Sequence, residues 1–129
     1  MNFKEILSKV EEFQNATDQP VSKSPCIGEE KHATLRYQLM AEENKEYLVA
    51  NLQGNQVEIL DSVIDQLYVL AGTINFHGLQ DLIEPAFNLV HKNNLTKIGP
   101  DGKVLRDPDG KVKKPEGFKP VDLKQLFKQ

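Results

Sequence analysis

Two short acidic groups are the residues in this chain best suited to chemistry: Glu42, Glu43 and Glu46, then Glu58, Asp61 and Asp65. Their spacings of three, four and seven stack carboxylates along one face of a helix. Like charges stacked in this way repel one another unless a cation sits between them. Oxygen donors without His or Cys favour a hard divalent ion, Mg²⁺ first, with Mn²⁺ as a substitute. Mg²⁺ keeps several waters and also takes substrate phosphates, so the implied chemistry is metal-assisted attack of water on a phosphate chain. A structural polar network is the alternative reading of the same pattern.

The helix faces sharpen this reading. At the helical period, Leu35, Leu39 and Ala50 share one apolar face. Glu46 falls inside that face, and Glu42 and Glu43 fall just beyond its two edges. On the next helix, Val57, Ile64, Tyr68 and Ala71 share an apolar face in the same way. Asp61, Asp65 and Glu58 follow one another along a single edge of it, Asp61 nearest and Glu58 furthest. Both acidic strips thus lie on or beside stripes expected to be buried. An unpaired buried carboxylate is costly and normally meets a metal or an opposite charge.

Four helices must position these groups. Phe3, Ile6, Leu7, Val10 and Phe13 predict an amphipathic helix over 2–15. A Pro- and Gly-containing loop covers 16–31. The second helix is predicted over about 32–51, broken at Gln53-Gly54-Asn55, and the third over 56–75, ending at His77-Gly78. Two helices joined by so short a break pack antiparallel, which brings the acidic strips together. A fourth is predicted over about 79–93, with Pro85 marking a kink or a late start. From residue 98 the chain carries Pro-Asp-Gly-Lys-Val twice, at 100–104 and 108–112, and reads as a flap with a small hairpin or ordered loop. No acidic residue follows at calcium-loop spacing. A short closing helix is expected over 121–127. The fold class is therefore all-α, an antiparallel bundle of four main helices forming one domain over 1–129, with a core at about 32–97 and a C-terminal flap over 98–129.

Composition supports a single globular domain. Of 129 residues, 39% are apolar, and the 8 glycines raise this to about 45%. Sixteen basic against nineteen acidic residues give a net charge of −3, which argues against a nucleic-acid partner. The lone Cys26 excludes an intrachain disulfide and is expected to be chemically silent. No apolar run suits a membrane span, and the N-terminal stretch is too charged for a signal peptide, so a cytoplasmic protein is expected.

The order of motifs resembles the all-α nucleotide pyrophosphohydrolases, the MazG-like and phosphoribosyl-ATP pyrophosphohydrolase superfamily. Glu42-Glu43-Asn44-Lys45-Glu46 is similar to its E-E-x-x-E signature, and Asp65-Gln66-Leu67-Tyr68 to the end of its E-x-x-D motif. Val90–Lys97, Asp109-Gly110-Lys111 and Lys114–Phe118 resemble the C-terminal signature of the branch with dUTPase-like members. The resemblance covers roughly 35–123. The chain departs from the pattern at Ser62, where the family has Glu. Either Asp61 supplies the missing ligand, the favoured repair, or Glu58-Ile59-Leu60-Asp61 is the motif shifted by one turn.

The resemblance implies hydrolysis of a nucleoside triphosphate between its α and β phosphates, with dUTP or another pyrimidine deoxynucleotide as substrate. Phosphoribosyl-ATP is the alternative substrate, and a non-catalytic nucleotide- or metal-binding module the alternative class. Glu42 and Glu43 are the implied catalytic residues, Glu42 as general base or further ligand. Glu43, Glu46, Asp61 and Asp65 would hold Mg²⁺. Lys111 and Lys114 are expected to meet substrate phosphates. Asn94 and Lys97 either cap the fourth helix or contact base or sugar and phosphate. Arg36 either pairs with a carboxylate or contacts phosphate. His91 is expected to be buried or capping. The family is usually dimeric or tetrameric, so a homodimer or homotetramer is expected.

Overall fold

The first helix begins where Asn2 accepts a hydrogen bond from the Glu5 backbone amide at 2.9 Å, satisfying one of the free N–H groups of its first turn. This helix, α1 (Phe3–Ala16), is followed by α2 (Glu30–Leu52), α3 (Gln56–Phe76) and α4 (Ile83–Leu95), and a 3₁₀ turn covers Lys124–Phe127. These elements come from a computed structural model that describes residues 1–127; the last two residues of the expected flap lie outside that range. The described residues are all-α, as the sequence predicts. None of their helices is long and apolar enough to cross a membrane.

The chain packs as two units, Met1–Gln80 and a second from Asp81 onward. In the first unit α3 is the central element, with α2 against one side and α1 against another. The turn between α2 and α3 is tight. Gly54 takes φ +66°, a left-handed conformation that other residues adopt at a cost, and Asn55 caps α3 by accepting from the Glu58 amide at 3.2 Å. This reversal sets the antiparallel register. Gln66 Nε2 donates to Asn44 Oδ1 at 3.0 Å, and Arg36 reaches the Val69 carbonyl one turn further along.

The core lies between α1 and the C-terminal half of α3, where Leu7, Val10, Ala71, Ile74 and Phe76 are buried. Two amides sit among them, Gln14 at 2% and Asn75 at 1% exposure. Gln14 Nε2 donates to the Gly72 carbonyl at 3.0 Å, and Asn75 Nδ2 donates to Gln14 Oε1 at 3.0 Å and to the Leu7 carbonyl at 2.9 Å. Paired in this way, such amides fix one alignment of α1 on α3. The 17–29 loop is strapped over the end of α3 by Ser22 N to Asn75 O at 2.9 Å and Cys26 N to His77 O at 3.0 Å. Gly78 is required there: at φ +65°, a Cβ would lie 2.0 Å from the Ser24 carbonyl oxygen.

One expectation about faces needs correction. Val57, Ile64 and Tyr68, assigned to a buried stripe, are all exposed, Val57 at 74%. The buried seam of α3 instead runs through Ser62, at 3% exposure, and Gly72, and half-buried Asp65 and Val69 continue it. This is the row that α2 meets: Arg36 reaches the Val69 carbonyl and lies against Gly72, and Glu43 comes to Asp65. The large apolar row is left facing outward.

In the second unit α4 starts late, at Ile83, so that Pro85 sits in the first turn where its missing N–H breaks no helical bond. The repeated Asp-Gly segments form two tandem turns closed by antiparallel bridges, Ile98 with Val104 and Arg106 with Val112. In each, an aspartate accepts from a backbone amide, Asp101 from Lys103 at 3.0 Å and Asp107 from Lys111 at 2.9 Å. His91 is exposed rather than buried.

Candidate active site

The antiparallel α2–α3 pair brings Glu43, Glu46 and Asp65 together, each offering a carboxylate oxygen within 4.8 Å of the others. Glu43 and Asp65 are half-buried and Glu46 is exposed. Glu43 Oε2 is buried and has no hydrogen-bond partner. Burial above all, then the close approach of Glu46 and the negative charges of Glu46, Asp65 and Glu42, push the Glu43 carboxyl up to about 7. An orphaned carboxylate oxygen amid further carboxylates is what a divalent cation would satisfy, so these three residues fit a hard metal ion.

Asp61 is exposed and is not part of this three-carboxylate group. Ser62 occupies the inward position next to it. Beside the cluster, Glu42, Glu46, Glu58 and Ser62 line a cavity of about 480 Å³. The smaller side chain at position 62 therefore borders open space that three carboxylates share.

On the other side of Glu43 and Asp65 lies a second cavity, of about 420 Å³, which reaches to Arg36 and is also lined by Phe13, Gln19 and Tyr68. The rings of Phe13 and Tyr68 meet edge to face, with centroids 5.8 Å apart. Arg36 Nε donates to Thr73 Oγ1 at 3.1 Å, one terminal nitrogen to Gln19 Oε1 at 3.0 Å, and the other to the Val69 carbonyl at 2.6 Å. None of these acceptors is a carboxylate, and burial lowers the pKa of the guanidinium. The expected pairing of Arg36 with a carboxylate is therefore absent among the described residues.

The second unit gathers several of the remaining residues. Lys97 Nζ donates to Asn94 Oδ1 at 3.1 Å and lies 5.6 Å from the Phe118 ring centre, with Lys114 Nζ at 5.7 Å from the same centre. Lys111 is exposed on the second turn, its backbone amide held by Asp107.

Sequence reasoning singled out every carboxylate of the cluster but missed Gln14, Gln19, Asn75 and Gly72. Gln14 did carry a signal: with Leu7 and Val10 it lies on the stripe that α1 buries, a polar residue in an apolar row.

Residues 10–94, about two-thirds of the chain, match the family model described as phosphoribosyl-ATP pyrophosphohydrolase. The chain belongs to this family. It is thereby a member of the all-α MazG-like NTP pyrophosphohydrolase superfamily, a pyrophosphohydrolase acting on nucleotide-like substrates. The phosphoribosyl-ATP pyrophosphohydrolase match takes in α2, α3 and the whole acidic cluster, and metal dependence is typical of the family. The lysine-bearing turns after residue 97 lie beyond it. No curated protein matches the chain.

Proposed function

We propose that this chain is a Mg²⁺-dependent nucleoside triphosphate pyrophosphohydrolase that converts a (d)NTP and water to the monophosphate and pyrophosphate, with a pyrimidine deoxynucleotide such as dUTP as the substrate class. The observation that carries the reading is the Glu43, Glu46 and Asp65 cluster with its unpartnered, buried Glu43 oxygen. These three carboxylates would hold the ion, which when bound neutralises phosphate charge and makes water a better nucleophile. Asp61, the fourth ligand that the sequence favours, is exposed, and Glu58, which shares a cavity with Glu46 and Ser62, is the ligand we propose in its place. Glu42 lines the same cavity and would take the proton of the attacking water as the new P–O bond forms and the bridging P–O bond breaks. Asn94, Lys97, Lys111 and Lys114 are the proposed contacts to the substrate's sugar and phosphates.

We further propose that the chain functions as a homodimer. Leu52, Val57 and Leu60, on α2 and α3, are 75%, 74% and 63% exposed, and Leu48 and Ile64 are exposed with them. Exposed apolar rows of this kind on two neighbouring helices suit an interaction surface, and a second copy would cover them.

Hydrolysis of phosphoribosyl-ATP is the second reading, favoured by the family that the chain matches. The test is pyrophosphate release from a panel of ribo- and deoxynucleoside triphosphates and from phosphoribosyl-ATP, with Mg²⁺, Mn²⁺ or EDTA. Metal-dependent release from a deoxypyrimidine triphosphate is the expected outcome. Release from phosphoribosyl-ATP alone would favour the second reading. Silence on every substrate would leave a non-catalytic module, with Ser62 marking the lost activity.

A further inference from the structure

Arg36 has five N–H groups, and its three hydrogen bonds leave one free on each terminal nitrogen. The guanidinium is half-buried and lines a cavity, so these donors are available to a group that enters it. Its position is also held with care. A Cβ on Gly72 would come within 2.5 Å of an Arg36 terminal nitrogen, so a larger residue there would displace the guanidinium. The Gly72 carbonyl is in turn held by Gln14.

Arg36 precedes Glu43 by seven residues, about 10 Å along α2. Both line the cavity that also contains Asp65 and the Phe13–Tyr68 ring pair. That spacing is comparable to the span between the phosphates of a nucleotide and the far edge of its base. Gln19 Oε1 accepts from Arg36 and Gln19 Nε2 donates to Thr17 Oγ1 at 2.9 Å, which holds the Gln19 amide beside the guanidinium.

We infer that Arg36 is a specificity-determining residue: the cavity lined by Phe13 and Tyr68 takes the nucleobase, and the two free N–H groups of Arg36 select a base with a keto group on the ring edge that meets them over one with an amino group there. This rests on the triphosphate reading above. A guanidinium is a donor-only fork, so it rewards a carbonyl and leaves an amino group facing a donor. It is also the only Lys or Arg among the described residues lining this cavity, which suits a neutral acceptor better than the second phosphate of phosphoribosyl-ATP.

The matched pairs dUTP against dCTP and dITP against dATP test this preference, since the members of each pair differ at a keto or amino group and at the proton on the ring nitrogen beside it. For the wild-type protein, kcat/KM should favour the keto member of whichever pair is accepted by roughly ten- to a hundredfold. Arg36→Met should bring the ratio close to one. Arg36→Lys should restore it only in part, because an ammonium lacks the paired donors. Gly72→Ala, which keeps Arg36 but displaces it, should also lower the ratio. Calorimetric binding of non-hydrolysable imido analogues of dUTP and dCTP to wild-type protein with Mg²⁺ reads the same preference without any variant, so a misfolded substitution cannot shield the inference. Equal binding of the two analogues overturns it, as does an unchanged ratio in a folded Arg36→Met protein; hydrolysis of triphosphates would then still support the reading above. Turnover of phosphoribosyl-ATP with none of any triphosphate overturns that reading and this inference together. A selective loss of phosphoribosyl-ATP turnover in Arg36→Met assigns the guanidinium to a phosphate instead.

Discussion

Glu43 concentrates the electrostatics of the site in one side chain. Its carboxyl is pushed up to about 7 from an ordinary 4.5, so in the metal-free folded protein it keeps its proton after the unfolded chain has released its own. Stability of the metal-free protein should therefore fall as pH rises from about 4.5 to about 7 and then level off. A bound cation competes with that proton. Added Mg²⁺ should accordingly raise the melting temperature more at about pH 8 than at about pH 5, as scanning fluorimetry can check. An equal gain at both would mean that Glu43 is not among the ligands. Glu46→Gln and Asp65→Asn should each lower turnover by about a hundredfold or more while leaving the far-ultraviolet circular dichroism unchanged. Activity retained in both variants would remove the metal site from this cluster.

The helices place these side chains because α3 is clamped from two sides by different chemistry. Toward α2 it presents a narrow, polar seam, which brings Asp65 to Glu43 and seats Arg36 over Gly72. Toward α1 it presents an apolar surface keyed by the Gln14 and Asn75 amides. Gln14→Leu would leave the Gly72 carbonyl without its side-chain donor and one Asn75 donor without its acceptor, a loss of about 1–3 kcal/mol. For a unit of this size that is a fall of roughly 4–8 °C in melting temperature per kcal/mol, measurable by calorimetry. A melting temperature within a degree or so of the wild type would show that the network adds little to the docking of α1.

At the scale of the molecule, the apolar rows that α2 and α3 leave uncovered point to a partner. Light scattering should give twice the chain mass for the wild-type protein, and Leu52→Lys with Leu60→Lys should return it to the monomer mass, since a buried lysine pair at an apolar seam is strongly disfavoured. A monomeric wild-type protein at micromolar concentration would show that this face is not a self-association surface.

What the sequence determined by itself was local and periodic. The helices, the Gly54 reversal and the two Asp-Gly turns follow from propensity and turn chemistry, which act within a few residues, while Pro85 left a kink or a late start open and α4 begins at Ile83. The carboxylates of the cluster were legible too, because helical spacing and a short antiparallel turn bring Glu43 and Glu46 to Asp65. What only the tertiary structure decided was which face of each helix packs. Hydropathy ranked Val57, Ile64 and Tyr68 as the buried row, but close packing of two backbones rewards small side chains, and the Ser62 and Gly72 seam won. That rotation moved Asp61 outward and left Glu58 beside Ser62. It also placed Arg36 against Gly72 and Gln19, contacts across tens of residues for which periodicity along one helix has no term.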